Sequence, residues 1–279
     1  MLRGSCLFGR HTSNDVQLQS VHASRQHAII QWQNSHERTD EGGYWLIDLG
    51  SSNGSYVNGR RVSKPIRLKP GDMLDLGGIR MAFQVSDEAE ISDNTMPDET
   101  PQELPKHACW LMVADIVGST ALSEGMESEE ASQFFGTWFK NCRALIESQG
   151  GHMNHYFGDG FLSSWKDSGP VGRNIIHTLL QFAHRQATQL PAFRVVLHYG
   201  TVVLGHESSV TAQTLHGTSV NYVVRMEKLA AELGEQVLIS ADAAEKLFCP
   251  TSHQHHANLN GFEGDHVFYV PDLGALAIH

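Results

Sequence analysis

The chain has 279 residues and a mass of 30.8 kDa, which is enough for two domains of ordinary size. Its formal charge of −11 argues against electrostatic binding to nucleic acid or to an anionic membrane. No apolar run approaches the roughly 20 residues of a membrane span, and the N-terminus lacks the pattern of a signal peptide. We therefore expect a cytoplasmic protein, and its four widely spaced cysteines indicate reduced thiols.

Residues 1–86 predict an all-β sandwich. Short β-branched or alternating runs are separated by clusters of Gly, Asn, Asp and Ser, at the spacing of that fold. The runs read HAIIQW, YWLIDL, IRLK, DMLDL and RMAFQV. Three polar loops stand out as FGRHTSND, VHASRQH and GSSNGSYVNGR. Loops on a rigid sandwich commonly carry recognition, so we expect a binding function here.

Five residues of these loops are suited to binding a phosphate group. Arg10 and Arg25 offer the forked donors that match phosphate oxygens, while Ser24, Ser52 and Asn53 can add neutral hydrogen bonds. Each of them alone is more typical of a turn or a polar surface than of a phosphate site. Their occurrence together in three ordered loops favours a phosphate site.

The motifs GR, SRQH and SSNGSYVNG in this order resemble the forkhead-associated (FHA) domain, a β-sandwich that binds phosphothreonine. The resemblance implies that Arg10 and Ser24 contact the phosphate and that Asn53 holds the backbone of the bound peptide. It implies a mainly structural role for His27. Ser52 replaces the more usual threonine and keeps the hydroxyl. The expected partner is a protein that contains phosphothreonine.

The segment 87–106 is rich in proline and acidic residues and lacks an apolar period, which predicts a linker. Thr95 and Thr100 are each followed three places later by an acidic residue, a position that FHA domains often read. One hypothesis is that a phosphorylated linker threonine docks into an FHA domain of the same chain or of a second copy. The alternative is an inert acidic spacer.

Residues 107–279 alternate strand-like and helical patterns, which predicts an α/β or α+β domain. Strand patterns occur in ACWLMVADI, in HMNHYFGDGFLSSW, where a glycine-flanked turn makes a hairpin, and in AFRVVLHYGTVVLG. Helical patterns cover 127–149, 171–188 and 219–233. The cluster HQHH lies near the C-terminus, but it lacks the spacing and the companion carboxylate that would indicate a metal site.

Two aspartates follow apolar strand patterns in this domain. Asp115 ends one strand and precedes Gly118, Ser119 and Thr120, whose backbone amides at a helix start would attract a triphosphate. Asp159 lies at the tip of the hairpin. Each alone is commonly a turn residue or a cap. If the two strands are neighbours, the carboxylates converge and suit a hard cation such as Mg²⁺.

A third motif, HGTSVNYVVRMEKLA, places Asn221 and Arg225 at i and i+4 on one helix face. Arginine remains cationic and suits a phosphate whose charge grows in a transition state. From this motif alone, the alternative is that Arg225 is a surface residue with a solvated Asn221 beside it.

The motifs ADIVGST, FGDGF and GTSVNYVVRME in this order resemble the catalytic domain of class III nucleotidyl cyclases. The resemblance implies a ferredoxin-like α+β core and a head-to-tail homodimer with active sites at the interface. Asp115, Asp159 and the carbonyl of Ile116 would bind two Mg²⁺ or Mn²⁺ ions. Asn221 and Arg225 of the second chain would position the ribose and stabilise the transferring phosphoryl group. The expected reaction converts ATP to cyclic AMP.

Two positions, His155 and Phe262, depart from the usual adenylyl cyclase pattern. The base-selecting pair is expected at His155 and Thr214, where lysine and aspartate or threonine are usual. Phe262 takes a place where the family often has a basic residue. GTP or a pyrimidine nucleotide therefore remains open as the substrate. The second interpretation is a weakly active domain that dimerises and binds nucleotide. The four residues expected to bind metal and phosphate are nevertheless all present, namely Asp115, Asp159, Asn221 and Arg225.

Overall fold

The computed structural model describes residues 5–12, 14–33, 42–85, 106–157, 159–188, 191–205 and 214–276. The chain divides into two compact units. The first contains the N-terminal strands and residues 123–140, and the second contains the other C-terminal elements. No helix in the described ranges is long and apolar enough to cross a membrane. The candidate phosphorylation sites Thr95 and Thr100 lie outside these ranges.

The N-terminal strands form two sheets. Their bounds are β1 Ser5–Gly9, β2 Val16–Gln17, β3 Ala28–Gln33, β4 Gly43–Asp48, β5 Ser55–Val57, β6 Arg60–Arg61, β7 Ile66–Arg67, β8 Met73–Leu76 and β9 Ile79–Ala82. One sheet has the order β2-β1-β3-β4-β7 and the other β6-β5-β8-β9. Ile30 and Leu46 of the first sheet share a core with Val57 and Leu74 of the second. The predicted sandwich is therefore confirmed.

The C-terminal elements alternate strands and helices. Their bounds are β10 Lys106–Ile116, α1 Ser119–Glu124, α2 Ser128–Ser148, β11 His152–Phe157, β12 Gly160–Lys166, α3 Val171–Thr188, β13 Phe193–Gly205, β14 Thr214–His216, α4 Thr218–Leu233, β15 Val237–Ser240, α5 Ala241–Leu247, β16 Thr251–Asn258, β17 Asp265–Pro271 and α6 Leu273–Leu276. The predicted strands, hairpin and three helices are all present. Lys106, predicted as linker, begins β10.

The sheet order β11-β12-β10-β13-β15-β17-β16 contains the predicted ferredoxin-like core. Counted along the chain, β10, β11, β12 and β13 are the four strands of a β-α-β-β-α-β unit, and they lie in the spatial order 2-3-1-4. The strands β15, β17 and β16 extend this sheet beyond β13, and β14 pairs with the end of β13. The C-terminal domain is therefore α+β.

β10 is an inner strand of this sheet, between β12 and β13, and fixes the position of Asp115. From Cys109 to Ala114, each residue is at most 2% exposed, as expected for a strand that is covered on both faces. Leu111 and Val113 pack with Val223 and Met226 of α4, and alternation turns the intervening residues to the opposite face. The carboxylate at the end of β10 therefore stands on a rigid support.

Candidate functional site

Asp115 and Asp159 are brought together by the pairing of β10 with β12. Ala114 lies opposite Phe161 in this antiparallel pair, so Asp115 comes level with Gly160 and next to the turn that holds Asp159. A Cβ atom at Gly160 would lie 2.7 Å from Oδ1 of Asp115 and 2.8 Å from the carbonyl oxygen of Ala114. Only glycine leaves room for the Asp115 carboxylate.

The two carboxylates repel each other in a poorly solvated site. Burial is the main cause that raises the pKa of Asp115 to about 7, and the charges of Asp159 and Glu227 raise it further while Arg194 lowers it. Oδ2 of Asp159 is buried and has no hydrogen-bond partner among the described residues. A buried carboxylate oxygen without a donor is costly unless a cation neutralises it. The donor set, which continues with the backbone of Ile116, therefore fits Mg²⁺ or Mn²⁺.

Arg194 and Glu227 adjoin this site, and neither was predicted from the sequence. Arg194 on β13 is the register partner of Asp115 on β10. Its Nε lies 3.2 Å from Oε1 of Glu227 on α4, and the two side chains are only 17% and 15% exposed. The available signal was an arginine inside the otherwise apolar run AFRVVL, because a charge in a buried strand needs a partner. The ion pair links α4 to the strand beside Asp115.

The predicted triphosphate turn directly follows β10. The Val117 amide donates to the carbonyl of Ala192 at 2.9 Å, and Gly118 then adopts a φ of 67°, which favours glycine. α1 begins at Ser119, so the amides of Ser119 and Thr120 belong to its first turn. The structure therefore places these residues next to Asp115, as the chain order required.

Asn221 and Arg225 share one face of α4. The opposite side of the helix is buried against the sheet through Val223, Met226 and Ala230. Asn221 is exposed and Arg225 is half-buried. Within the described ranges, no hydrogen bond or ion pair joins either side chain to the two aspartates. The four residues thus form two separate pairs in one chain.

The predicted base-selecting positions lie on two strands that approach each other, β11 and β14. His155 is half-buried on β11, with its ring centroid 6.4 Å from that of Phe157. The β11 register is irregular between Met153 and His155, and such bulges often re-aim a side chain at an active site. Thr214 begins β14 opposite Gly205. Both positions belong to the same chain.

In the N-terminal domain, direct hydrogen bonds connect the three polar loops. The amide of Arg10 donates to the carbonyl of Ser24 at 2.8 Å. The amide of Ser52 donates to Oγ of Ser24 at 3.0 Å, and Nδ2 of Asn53 donates to the carbonyl of His22 at 2.7 Å. Because Ser24 Oγ accepts this bond, its own O–H remains a donor. The loops thus present their predicted binding residues together.

The side chain of His27 connects two of these loops from inside the domain. It is fully buried, and its Nδ1 accepts the Ser24 amide at 3.1 Å while Nε2 lies 3.2 Å from the carbonyl of Gly54. This arrangement requires a proton on Nε2, and burial lowers the pKa of His27. Above it, Arg10 and Arg25 are exposed. The result is a solvent-facing surface with two guanidinium groups on a fixed frame.

Comparison with known families identifies both domains. Residues 102–270 match the family model described as adenylate and guanylate cyclase catalytic domain. The chain belongs to this cyclase family. Residues 6–77 match the model of the FHA domain, so the cyclase domain is preceded by an FHA domain.

Relatives of both domains are much longer than the matched region. Adenylate cyclase 2 of Rhizobium meliloti is 30% identical over 149 residues, which are 49% of this chain and 41% of that protein. Adenylate cyclase of Anabaena cylindrica is 29% identical over 51% of this chain and 31% of that protein. Glycogen accumulation regulator GarA of Mycolicibacterium smegmatis is 33% identical over 30% of this chain and 48% of that protein. The chain thus spans less than half of each relative.

Two solved structures share the fold of the cyclase domain. The guanylyl cyclase Cya2 superposes with a TM-score of 0.50 and 18% identity, covering 60% of this chain and 92% of that one. A bacterial light-regulated adenylyl cyclase superposes with a TM-score of 0.52 and 20% identity, covering 61% of this chain and 54% of that one. At these identities the comparison establishes the fold of the cyclase domain.

Proposed function

We propose that the cyclase domain converts ATP to 3′,5′-cyclic AMP and pyrophosphate at a site completed by a second chain. The observation that carries the proposal is the buried pair of Asp115 and Asp159, in which one carboxylate oxygen has no donor among the described residues. Paired carboxylates beside a phosphate-binding turn are the arrangement that metal-assisted phosphoryl transfer needs.

Asp115 and Asp159, with the carbonyl of Ile116, would hold two Mg²⁺ or Mn²⁺ ions. When bound, such ions neutralise the triphosphate and acidify the 3′-hydroxyl. The amides after Gly118 bind the phosphate chain, since they lie at the start of α1. The 3′-oxygen then forms a bond to the α-phosphorus, the bond from that phosphorus to the bridging oxygen breaks, and pyrophosphate leaves.

Asn221 and Arg225 of the second chain complete the site. Asn221 would position the ribose, and Arg225 would stabilise the charge that develops on the α-phosphoryl group. Two features support this assignment: the pair has no described link to the aspartates of its own chain, and Asn221 is exposed. A homodimer would therefore contain two such sites, each with the aspartates of one chain and with Asn221 and Arg225 of the other.

ATP is the proposed substrate, and His155 and Thr214 are the proposed base-selecting residues. The similarity to two adenylate cyclases supports ATP. A neutral imidazole has one donor and one acceptor, so GTP and pyrimidine nucleotides are the competing substrates. One observation favours the second interpretation, a domain that binds nucleotide with weak turnover. Phe262 makes an edge-on contact with Tyr222, with ring centroids 5.0 Å apart, where the family often has a cation.

Incubation of the full chain with ATP, GTP, CTP or UTP and Mn²⁺, read by mass, tests the reaction and the base. We expect cyclic AMP as the main product and no product from Asp159→Ala. Bound nucleotide without any cyclic product would favour the second interpretation. A cyclic product of another base would reassign His155 and Thr214.

The FHA domain is proposed to bind a phosphothreonine peptide and so regulate the cyclase. Arg10, Ser24 and Arg25 would hold the phosphate, while Ser52 and Asn53 would hold the peptide. The ligand is a phosphoprotein or the chain's own linker. Kinase-treated wild type and the Thr95→Ala/Thr100→Ala variant are compared for cyclase activity and oligomeric state. Identical responses would rule out the linker as ligand.

A further inference from the structure

Two histidines on the outer strand of the sheet meet a glutamate of the loop that follows α4. His253 and His255 lie on the same face of β16, two residues apart. Nε2 of each lies 2.9 Å from the same oxygen, Oε1 of Glu235. The two rings are nearly perpendicular, at 77°, with centroids 5.1 Å apart. Glu235 directly follows Gly234, which ends α4.

The donor set is that of a borderline transition metal ion. Its three ligand atoms, two imidazole nitrogens and one carboxylate oxygen, lie within 4.8 Å of one another. Two imidazoles and a carboxylate with open positions for water are a ligand set of Zn²⁺, whereas Mg²⁺ and Mn²⁺ favour oxygen ligands. Ligands at 2.0–2.2 Å in a tetrahedron stand roughly 3.5 Å apart. The 2.9 Å contacts would therefore open by about half an ångström.

Ser252 orients one of these rings. Its Oγ donates to the carbonyl of Val270 at 3.2 Å and lies 3.1 Å from Nδ1 of His253. With its hydrogen used in this way, the oxygen can accept from Nδ1–H, so Nε2, which faces Glu235, is the nitrogen that would bind a metal ion. Metal-bound histidines typically have their second nitrogen held in this manner. A cation between the three groups satisfies the carboxylate and the imidazole together.

We propose that Glu235, His253 and His255 bind one Zn²⁺-type ion per chain. The site goes beyond the proposed cyclase reaction and does not depend on it. It would tie the loop that follows α4 to β16, the outer strand of the sheet. The sequence pattern HQHH did not indicate it, because the carboxylate comes from another element.

The neighbouring His256 provides a matched control. It points to the other face of β16, where its Nδ1 lies 3.0 Å from Oδ2 of Asp265. It is as exposed as His253, with 54% against 51% of the side chain accessible. His256 has one carboxylate partner and no second histidine in that contact. A His256→Gln variant therefore removes a surface imidazole from the same strand without removing a proposed ligand.

The test is titration calorimetry of the untagged full chain with ZnCl₂, in excess Mg²⁺ to occupy oxygen-lined sites. We expect one Zn²⁺ per wild-type chain. The dissociation constant should rise at least about tenfold in His253→Gln/His255→Gln and in Glu235→Gln, and stay unchanged in His256→Gln. Zn²⁺ should raise the melting temperature of wild type and of His256→Gln only.

Melting temperatures without metal show whether the variants are folded, and Glu235→Gln keeps a side chain of the same shape. Absorption of bound Co²⁺ gives a second readout, since tetrahedral coordination by nitrogen and oxygen produces visible bands that the double variant should lose. Wild type that binds no Zn²⁺ would overturn the proposal. A rise below tenfold in the double variant, or an equal rise in His256→Gln, would overturn it as well.

Discussion

The two candidate sites differ in how completely one chain assembles them. In the FHA domain, backbone and side-chain hydrogen bonds already connect the loops of Arg10, Ser24 and Asn53. In the cyclase domain, Asp115 and Asp159 repel each other, and Asn221 and Arg225 have no described link to them. The loops of the first site are connected without a ligand, whereas in the proposed mechanism the second site depends on cations and a second chain. Substitutions should therefore affect stability and function differently in the two domains.

The largest effect is expected at the aspartate pair. Asp159→Asn should lower kcat at least about a hundredfold, because it removes a charged ligand from the reaction centre. The same change should raise the melting temperature of the metal-free protein, since it removes a buried, unpaired charge. Calorimetry and a cyclic-nucleotide assay check the two directions. A lower melting temperature would contradict the electrostatic account of this pair.

At the proposed phosphopeptide site, a substitution should weaken ligand binding without changing the melting temperature. Arg10→Ala should weaken binding of a phosphothreonine peptide by about tenfold or more, because a charge-assisted hydrogen bond is lost. The melting temperature should stay unchanged, since the side chain is exposed. Arg80→Ala is the control, because Arg80 is exposed and pairs with Asp75 on β8. Fluorescence anisotropy measures both, and equal losses would argue against the assignment of Arg10.

Gly160 tests the close approach on which the aspartate pair depends. Gly160→Ala should destabilise the protein by about 1–3 kcal/mol and reduce activity, because its Cβ would press on the Asp115 carboxylate. Gly172→Ala in α3 is the matched control, since its Cβ would meet only Leu247 at 3.5 Å. Urea unfolding compares the two variants. Equal stability would show that the turn relaxes freely around the added methyl group.

A pH dependence is also expected in the metal-free protein. The pKa of Asp115 is raised to about 7 from 3.8, so the folded state holds a proton that the unfolded state releases. The Asp115 contribution to stability is therefore present at low pH and is lost as pH rises from about 4 to about 7. Subtracting the profile of Asp115→Asn isolates it from His198, whose pKa burial lowers to about 4. A flat difference curve would contradict the shifted pKa.

Sequence patterns predicted the elements with strong periodicity and missed those without it. β10 and α4 were predicted because one is a long apolar run and the other has a clear helical period. The strands β2 and β6 have two residues each, which is too short for a pattern. β16 is mostly exposed and reads as polar sequence. A clear period over enough residues, rather than burial alone, therefore favoured prediction, since β15 is fully buried but only four residues long and was not predicted.

The same limit applies to the sites. The convergence of Asp115 and Asp159 was predictable, because Asp115 ends an apolar strand pattern and Asp159 lies in the turn of the predicted hairpin. The pairing of Arg194 with Glu227 was not, since it depends on how α4 lies across β13. The meeting of Glu235 with His253 was not predictable either, because the two lie on different elements. Contacts between elements distant in sequence need the assembled sheet.

Complementation between inactive variants tests the central claim most directly. Asp159→Asn lacks one half of the proposed site and Asn221→Ala lacks the other, so each should be inactive alone. Mixed in equal amounts and allowed to exchange, they should recover about a quarter of wild-type activity, because half of the dimers are mixed and each mixed dimer has one intact site. A mixture no more active than either variant would contradict a site shared between two chains.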